Sequence, residues 1–113
     1  SKSDNKETPM MLASFLGNDD TLNILIRYGA NIQGEEKKPL YWASKGGHLS
    51  TVKLLVENGA NIDDFEESNV FPNETPLMVA SRYGFIDIVE YLIQKGADKL
   101  IKNSECIFIF TIF

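Results

Sequence analysis

The chain has 113 residues, of which 43% are hydrophobic and 24% charged, and its formal net charge at pH 7 is −5. This length and balance are typical of one globular domain and argue against a disordered chain. Because affinity for nucleic acid and for anionic membranes depends on clustered Lys and Arg, the acidic chain is a poor candidate for either. No apolar run approaches the ~20 residues of a membrane helix, and the polar residues 1–9 do not resemble a signal peptide.

Three prolines, Pro9, Pro39 and Pro76, begin three similar units. Within each unit, alanine and serine follow the proline at positions 4 and 5, and glycines occupy positions 8 and 20, where each position is counted from that proline. Agreement at so many positions in three units indicates an internal repeat. The sequence therefore predicts a stacked repeat protein.

The first half of each unit predicts a short helix, which we call the inner helix. Proline suits the first helical position because its missing N–H needs no partner there, and Thr8 and Thr75 precede it as N-caps. The glycine at position 8 ends the helix, since glycine adopts positive φ without strain. The middle unit has Lys38 where a capping threonine is expected, so we expect its inner helix to be the least stable of the three.

The second half of each unit predicts a second helix, the outer helix, with apolar residues at positions 13, 16 and 17. This i, i+3, i+4 spacing places the apolar side chains on one helical face. They are Leu22, Leu25 and Ile26, then Val52, Leu55 and Val56, then Val89, Leu92 and Ile93. The glycine at position 20 stops the helix, and the turns 29–32 and 59–62 end in Ile32 and Ile62, which can pack beneath the helices.

These motifs resemble the ankyrin repeat. The resemblance is carried by the segments 8–13, 39–43 and 75–80, by Gly47-His48-Leu49 and by the run from Leu54 to Asn61, and it covers about residues 8–101. It implies an all-α ankyrin-repeat solenoid of helix–turn–helix units with short hairpin-like fingers between them. The single domain 1–113 then contains repeat 1 (about 7–33), repeat 2 (about 37–63), repeat 3 (about 74–101) and a partial fourth repeat or cap (102–113).

The spacing of the units departs from the family period of about 33 residues. Pro9 and Pro39 are 30 residues apart, whereas Pro39 and Pro76 are 37 residues apart. The first finger, residues 33–38, is therefore short, and the second, residues 63–75, is long. Both changes fall in loops, where changes of length are tolerated.

The resemblance also implies a function, namely non-catalytic binding of a partner protein through the concave face and the finger loops. In ankyrin modules the contacts come from the finger tips and from positions 6 and 7 of the inner helix. Carried over to this chain, the expected contact residues are Glu7, Phe15, Leu16, Lys37, Lys45, Phe71, Glu74, Arg82 and Tyr83. The alternative is that the chain is the substrate-targeting region of a larger enzyme, a kinase or a ubiquitin ligase. Either way, we expect a monomer or part of a longer repeat array.

The residues that could carry chemistry favour structural roles. His48 is the only histidine, so no histidine cluster can hold zinc, and we expect it to brace the turn between two helices. The acidic run 63–67 lacks the order of a calcium loop and predicts a solvated finger, or a patch that attracts a basic partner. Trp42 occupies an apolar position and is expected to fill the core. We therefore predict no catalytic residue, no cofactor and no metal.

The end of the chain, residues 105–113, is apolar and lies where a fourth repeat would begin. Three interpretations are open. The segment could pack on repeat 3 as a cap, it could be an aggregation-prone strand, or the natural chain could continue beyond it. The single cysteine, Cys106, permits no internal disulfide, which favours a reducing, intracellular and cytoplasmic location.

Overall fold

The computed structural model describes residues 8–33, 38–66 and 73–97. These residues form six helices in three helix–turn–helix pairs, so the predicted all-α repeat fold is confirmed. The helices are α1 (Pro9–Leu16), α2 (Asp19–Arg27), α3 (Pro39–Gly46), α4 (Leu49–Glu57), α5 (Pro76–Tyr83) and α6 (Ile86–Gln94). Among the described residues the β-type pairing is one isolated antiparallel bridge, which joins Glu66 to Glu74 across the second finger.

The inner helices α1, α3 and α5 begin as the sequence predicts. The Thr8 hydroxyl accepts a hydrogen bond from the Met11 N–H at 3.1 Å, and Thr75 accepts one from the Met78 N–H at 3.2 Å. Lys38, at the same place before α3, makes no side-chain capping bond. The missing cap is thus confirmed, while the lower stability of α3 stays a prediction that amide exchange of its first turn would test.

Each inner helix ends at a glycine whose backbone is left-handed, and a ring from the next repeat packs on two of these glycines. Gly17 and Gly47 have φ of +74° and +80°. A Cβ atom on Gly17 would lie 2.5 Å from Nδ1 of His48, and one on Gly47 would lie 2.7 Å from Cζ of Phe85. His48 and Phe85 both stand at position 9 of their repeats. The glycine therefore ends a helix and also admits the ring that joins it to the next repeat.

Replacing Gly47 with alanine is expected to lower the free energy of unfolding by about 2–3 kcal/mol, from backbone strain and from overpacking against Phe85. Gly59→Ala is the matched control, because Gly59 has φ of +99° but no atom within 4 Å of the added Cβ. Only the strain, about 1–2 kcal/mol, is expected there. Denaturant unfolding of both variants measures the difference, and equal losses would contradict the ring contact.

The core lies between the inner and outer helices and runs through all three repeats. Leu22, Val52 and Val89, which share position 13, are buried. Leu55 and Leu92 are also buried, as predicted. Leu25, the equivalent residue of repeat 1, is partly buried and packs against the same cluster. The repeated apolar face thus forms one continuous core.

The inner helices pack against one another more extensively than the outer helices do. On the outer side, the Asp19 carboxylate of α2 accepts hydrogen bonds from the hydroxyls of Ser50, at 2.7 Å, and Thr51. Polar bonds thus connect α2 to α4.

The repeated turn after each outer helix has a specific structure. Asn31 and Asn61 each accept, through the side-chain oxygen, a hydrogen bond from the backbone N–H two residues on, at 3.0 and 3.1 Å. Such bonds mimic a backbone turn and explain why asparagine recurs there. The Gln33 amide then spans two repeats: it donates to the carbonyl of Gly59 at 2.6 Å and accepts from the N–H of Asn61 at 2.8 Å. The turn sequence therefore both ends a helix and links neighbouring units.

Candidate functional site

Positions 3, 6 and 7 of the inner helices share one face of each helix, because they are spaced i, i+3, i+4. We call this surface the inner face. It consists of Leu12, Phe15 and Leu16 of α1, Trp42, Lys45 and Gly46 of α3, and Arg82 and Tyr83 of α5, whereas Val79 at position 3 of α5 is buried.

Large apolar side chains on the inner face are open to solvent. Leu16 is 67% exposed and Tyr83 is 47% exposed, while Leu12 and Phe15 are about 40% exposed. Exposed apolar groups that are gathered on one surface are typical of an interaction site, whereas scattered ones carry no such meaning. The α1, α3 and α5 sequences also contain no Asp or Glu, and their only charged residues are Lys45 and Arg82.

Trp42 is the centre of an aromatic cluster that joins repeats 1 and 2. Its ring meets Phe15 edge to face, with ring centroids 5.7 Å apart, and meets Tyr41 in the same way at 5.3 Å. The Lys45 ammonium lies 4.9 Å from the centroid of the indole, a cation–π contact. The prediction that Trp42 fills the core was therefore wrong: it is partly buried on the inner face.

The physical reason is the indole N–H, which needs a partner when it is buried. It donates to the Glu66 carboxylate at 3.0 Å, and the same carboxylate oxygen accepts the backbone N–H of Lys38. Glu66 is therefore buried, although the acidic run 63–67 was expected to be a solvated finger. That expectation was wrong for Glu66, because the bridge to Glu74 brings it under the inner helices. Lys38 also pairs with Asp64, at 3.8 Å.

Glu74 connects α3 to α5 beneath the inner face. Its carboxylate accepts hydrogen bonds from the Tyr41 hydroxyl at 2.8 Å and from two nitrogens of Arg82, Nε at 2.8 Å and Nη2 at 2.9 Å. The Arg82 guanidinium in turn lies 4.8 Å from the ring centroid of Tyr83. Since Arg82 is held by two parallel bonds, its planar group is fixed in the inner face.

Glu74 requires a correction. The family pattern placed it at a finger tip that contacts a partner, but its side chain is 0% exposed and its oxygens are engaged within the chain. A backbone bridge in both directions, with N···O distances of 2.9 and 2.8 Å, draws the finger residue inward against Tyr41. Glu74 therefore positions Arg82 and does not itself reach a partner.

Burial and the hydrogen bond to Glu74 both raise the pKa of Tyr41 far above its usual range. A tyrosine whose folded-state pKa is raised contributes its full stability below its ordinary pKa of about 10, and that contribution is lost as the pH rises further. The hydrogen bonds to Glu74 also raise the pKa of Arg82. Both groups therefore keep their protons throughout the physiological range.

The structure brings five of the nine expected contact residues together on the inner face: Phe15, Leu16, Lys45, Arg82 and Tyr83. Glu7, Lys37 and Phe71 lie outside the described residues. Sequence reasoning missed Leu12 and Trp42 as members of this surface. The signal for both was their position three residues before Phe15 and Lys45, one helical turn away.

His48 has the bracing position that the sequence predicted. Its Nε2 lies 3.0 Å from the carbonyl oxygen of Phe15, and its ring covers Gly17. Within the described ranges, no group of three or more His, Cys, Asp or Glu side chains could hold a metal ion, and no helix is long and apolar enough to cross a membrane. Cys106 and the apolar segment 105–113 lie outside these ranges, so their interpretations stay open.

A stack of three helical pairs, with an apolar and basic inner face, defines the chain as a helical repeat scaffold. The family model for ankyrin repeats, in three copies, matches residues 10–103, and the chain belongs to the ankyrin repeat family. Ankyrin repeats are generally protein–protein interaction modules. No curated protein matches the chain.

Proposed function

We propose that the chain is a non-catalytic module that binds a partner protein through its inner face. The observation that carries the proposal is the exposure of Phe15 and Leu16 on α1 and of Tyr83 on α5. The helices hold these side chains in place before a partner arrives, so less side-chain ordering is needed on binding. Aromatic and arginine side chains also dominate binding hot spots, and this surface holds both.

The charges of the inner face suggest what the partner presents. Lys45 lies over Trp42 and Arg82 over Tyr83, so each cation stands beside an aromatic surface. A partner segment with apolar side chains and a nearby carboxylate matches this pattern, because opposite charges steer the encounter and fix the register. The finger residues Glu7, Lys37 and Phe71 remain part of the proposed contact surface.

Two matched double variants test the proposed surface. Lys45→Ala with Tyr83→Ala removes one lysine and one tyrosine from the inner face, and Lys95→Ala with Tyr28→Ala removes the same types from exposed positions after the outer helices. We expect the inner pair to weaken capture of the partner by about tenfold or more and the outer pair to leave it unchanged.

The measurement is affinity capture from cell extract, followed by titration of each captured protein with the purified native chain and both variants. A partner that still binds the variant with Lys45→Ala and Tyr83→Ala, but no longer binds the variant with Lys95→Ala and Tyr28→Ala, would contradict the proposal. Both variants should unfold at nearly the native denaturant concentration, which separates lost binding from lost folding.

The alternative function is that the same surface recruits substrates for a kinase or a ubiquitin ligase encoded in the same reading frame. The two proposals share the inner face and differ in what is attached to it. A reading frame that continues into a catalytic domain would favour the alternative. A cytoplasmic location, with a protein and neither nucleic acid nor a membrane as the partner, belongs to both proposals, on the evidence of the single cysteine and the acidic charge.

A further inference from the structure

The contacts between repeats show which side chains of a repeat face the one before it. In repeat 2 these include positions 3 and 7. The Trp42 ring at position 3 lies 5.7 Å from the ring of Phe15 in repeat 1. At position 7, a Cβ on Gly46 would collide with the carbonyl oxygen of Phe15. Both positions therefore lie at the junction with the preceding repeat.

The outer helices add positions 12 and 15 to this set. Thr51, at position 12 of repeat 2, donates its hydroxyl proton to Asp19 of repeat 1. Tyr91, at position 15 of repeat 3, has its ring centroid 5.7 Å from the ammonium of Lys53 in repeat 2. Positions 3, 7, 12 and 15 thus mark the side of a repeat that meets its predecessor.

In repeat 1 the same positions hold Leu12, Leu16, Thr21 and Ile24, and we call this surface the leading flank. All four residues are exposed, Leu12 by 42% and Ile24 by 50%. At positions 3 and 15, repeats 2 and 3 have partly or fully buried residues: Trp42, Val79, Leu54 and Tyr91. Position 7 is less enclosed by the preceding repeat than position 3, since Tyr83, at position 7 of repeat 3, is also exposed.

The leading flank has the composition of an internal junction and lacks that of a terminal one. A terminal repeat of a solenoid requires a polar outer surface for solubility. Repeat 1 instead presents three large apolar side chains, with Thr21 at the position where Thr51 bonds to the preceding repeat.

We infer that the leading flank is a stacking surface for a further ankyrin-type helical pair, placed ahead of repeat 1 as repeat 1 is placed ahead of repeat 2. The added pair would contact repeat 1 at the same positions at which repeat 1 contacts repeat 2. A pair with an apolar side chain at position 6 and an acceptor at position 10 reproduces the contacts that Phe15 and Asp19 make with repeat 2. The flank therefore continues an interface that the chain already forms twice.

The test lengthens the chain by one repeat. A second copy of residues 8–37, which carries phenylalanine at position 6 and aspartate at position 10, is inserted between Glu7 and Thr8. Its proline then lies 30 residues before Pro9, the natural distance from Pro9 to Pro39. Leu16→Ala with Ile24→Ala is then introduced into repeat 1 of the original chain and into the same repeat, now the second, of the lengthened chain. We expect the double change to lower the midpoint of thermal unfolding by about 4 °C or more beyond its effect in the original chain.

Ile86→Ala is the matched control, because Ile86 is 53% exposed and lies in repeat 3, away from the leading flank. Its effect should be the same in both chains. Equal losses from the Leu16 and Ile24 changes in the two chains would overturn the inference. Sedimentation equilibrium of the original chain provides a second reading: a dimer that the double change dissociates would assign the flank to a second copy and would also overturn it.

Discussion

Replacing Glu74 with alanine is expected to lower the free energy of unfolding by about 3–5 kcal/mol, although the residue lies in a finger. The carboxylate is 0% exposed and accepts hydrogen bonds from Tyr41 and Arg82. Its removal leaves a buried hydroxyl and a partly buried guanidinium without their acceptor, and a buried group that loses its partner costs far more than the bond itself contributes. Denaturant unfolding followed by circular dichroism measures the loss.

Asp64→Ala is the matched control for Glu74→Ala, because Asp64 is an acidic residue of the same finger. Its carboxylate is partly exposed and lies 3.8 Å from the ammonium of Lys38. An ion pair of this kind contributes about 0–1 kcal/mol. A loss from Glu74→Ala that does not exceed the loss from Asp64→Ala would contradict the buried network.

The second large effect is expected for Leu55→Ala in α4. Leu55 is buried in the cluster that runs through the three repeats. Truncation of a buried leucine costs about 3–4 kcal/mol, from lost burial and from the cavity that remains. Because each repeat contacts only its neighbours, a loss in the middle repeat weakens both junctions. We expect one cooperative unfolding transition at a clearly lower denaturant midpoint.

Leu54→Ala separates burial from helix propensity, because it makes the same chemical change one residue earlier in the same helix. Leu54 is only partly buried. Its truncation should cost about half as much as that of Leu55, since the cost follows the apolar area that burial removes from water. Equal losses for the two variants would mean that position 16 does not form the common core face.

The helices and their ends could be predicted because their signals are local. Proline at the first helical position, Thr8 and Thr75 as caps, and glycine at the end act within a few residues of one another. The apolar face of the outer helices follows from spacing alone, as buried Val52 and Leu55 show. Position 9 shows the limit of such signals. His48 packs on Gly17 and Phe85 packs on Gly47, although the two residue types differ. The residue type alone therefore did not predict that both rings make the same contact.

The polar network beneath the inner face could not be predicted because it depends on the path of the second finger. Glu66 and Glu74 are charged residues in a loop, and such residues are usually solvated. The antiparallel bridge between them turns both carboxylates inward, towards Trp42 and Tyr41. No local pattern encodes that bridge, so the family rule assigned Glu74 to a partner when its role is internal.

The central claim is that the inner face, and not the outer helices, meets the partner protein. Placing the photoreactive residue p-benzoylphenylalanine at Tyr83 or at Tyr28 tests it directly, since both side chains are exposed and aromatic. Irradiation in cells is expected to join the partner to the chain labelled at Tyr83 and to leave the chain labelled at Tyr28 uncrosslinked. Crosslinking of the same partner at Tyr28, with none at Tyr83, would contradict the account.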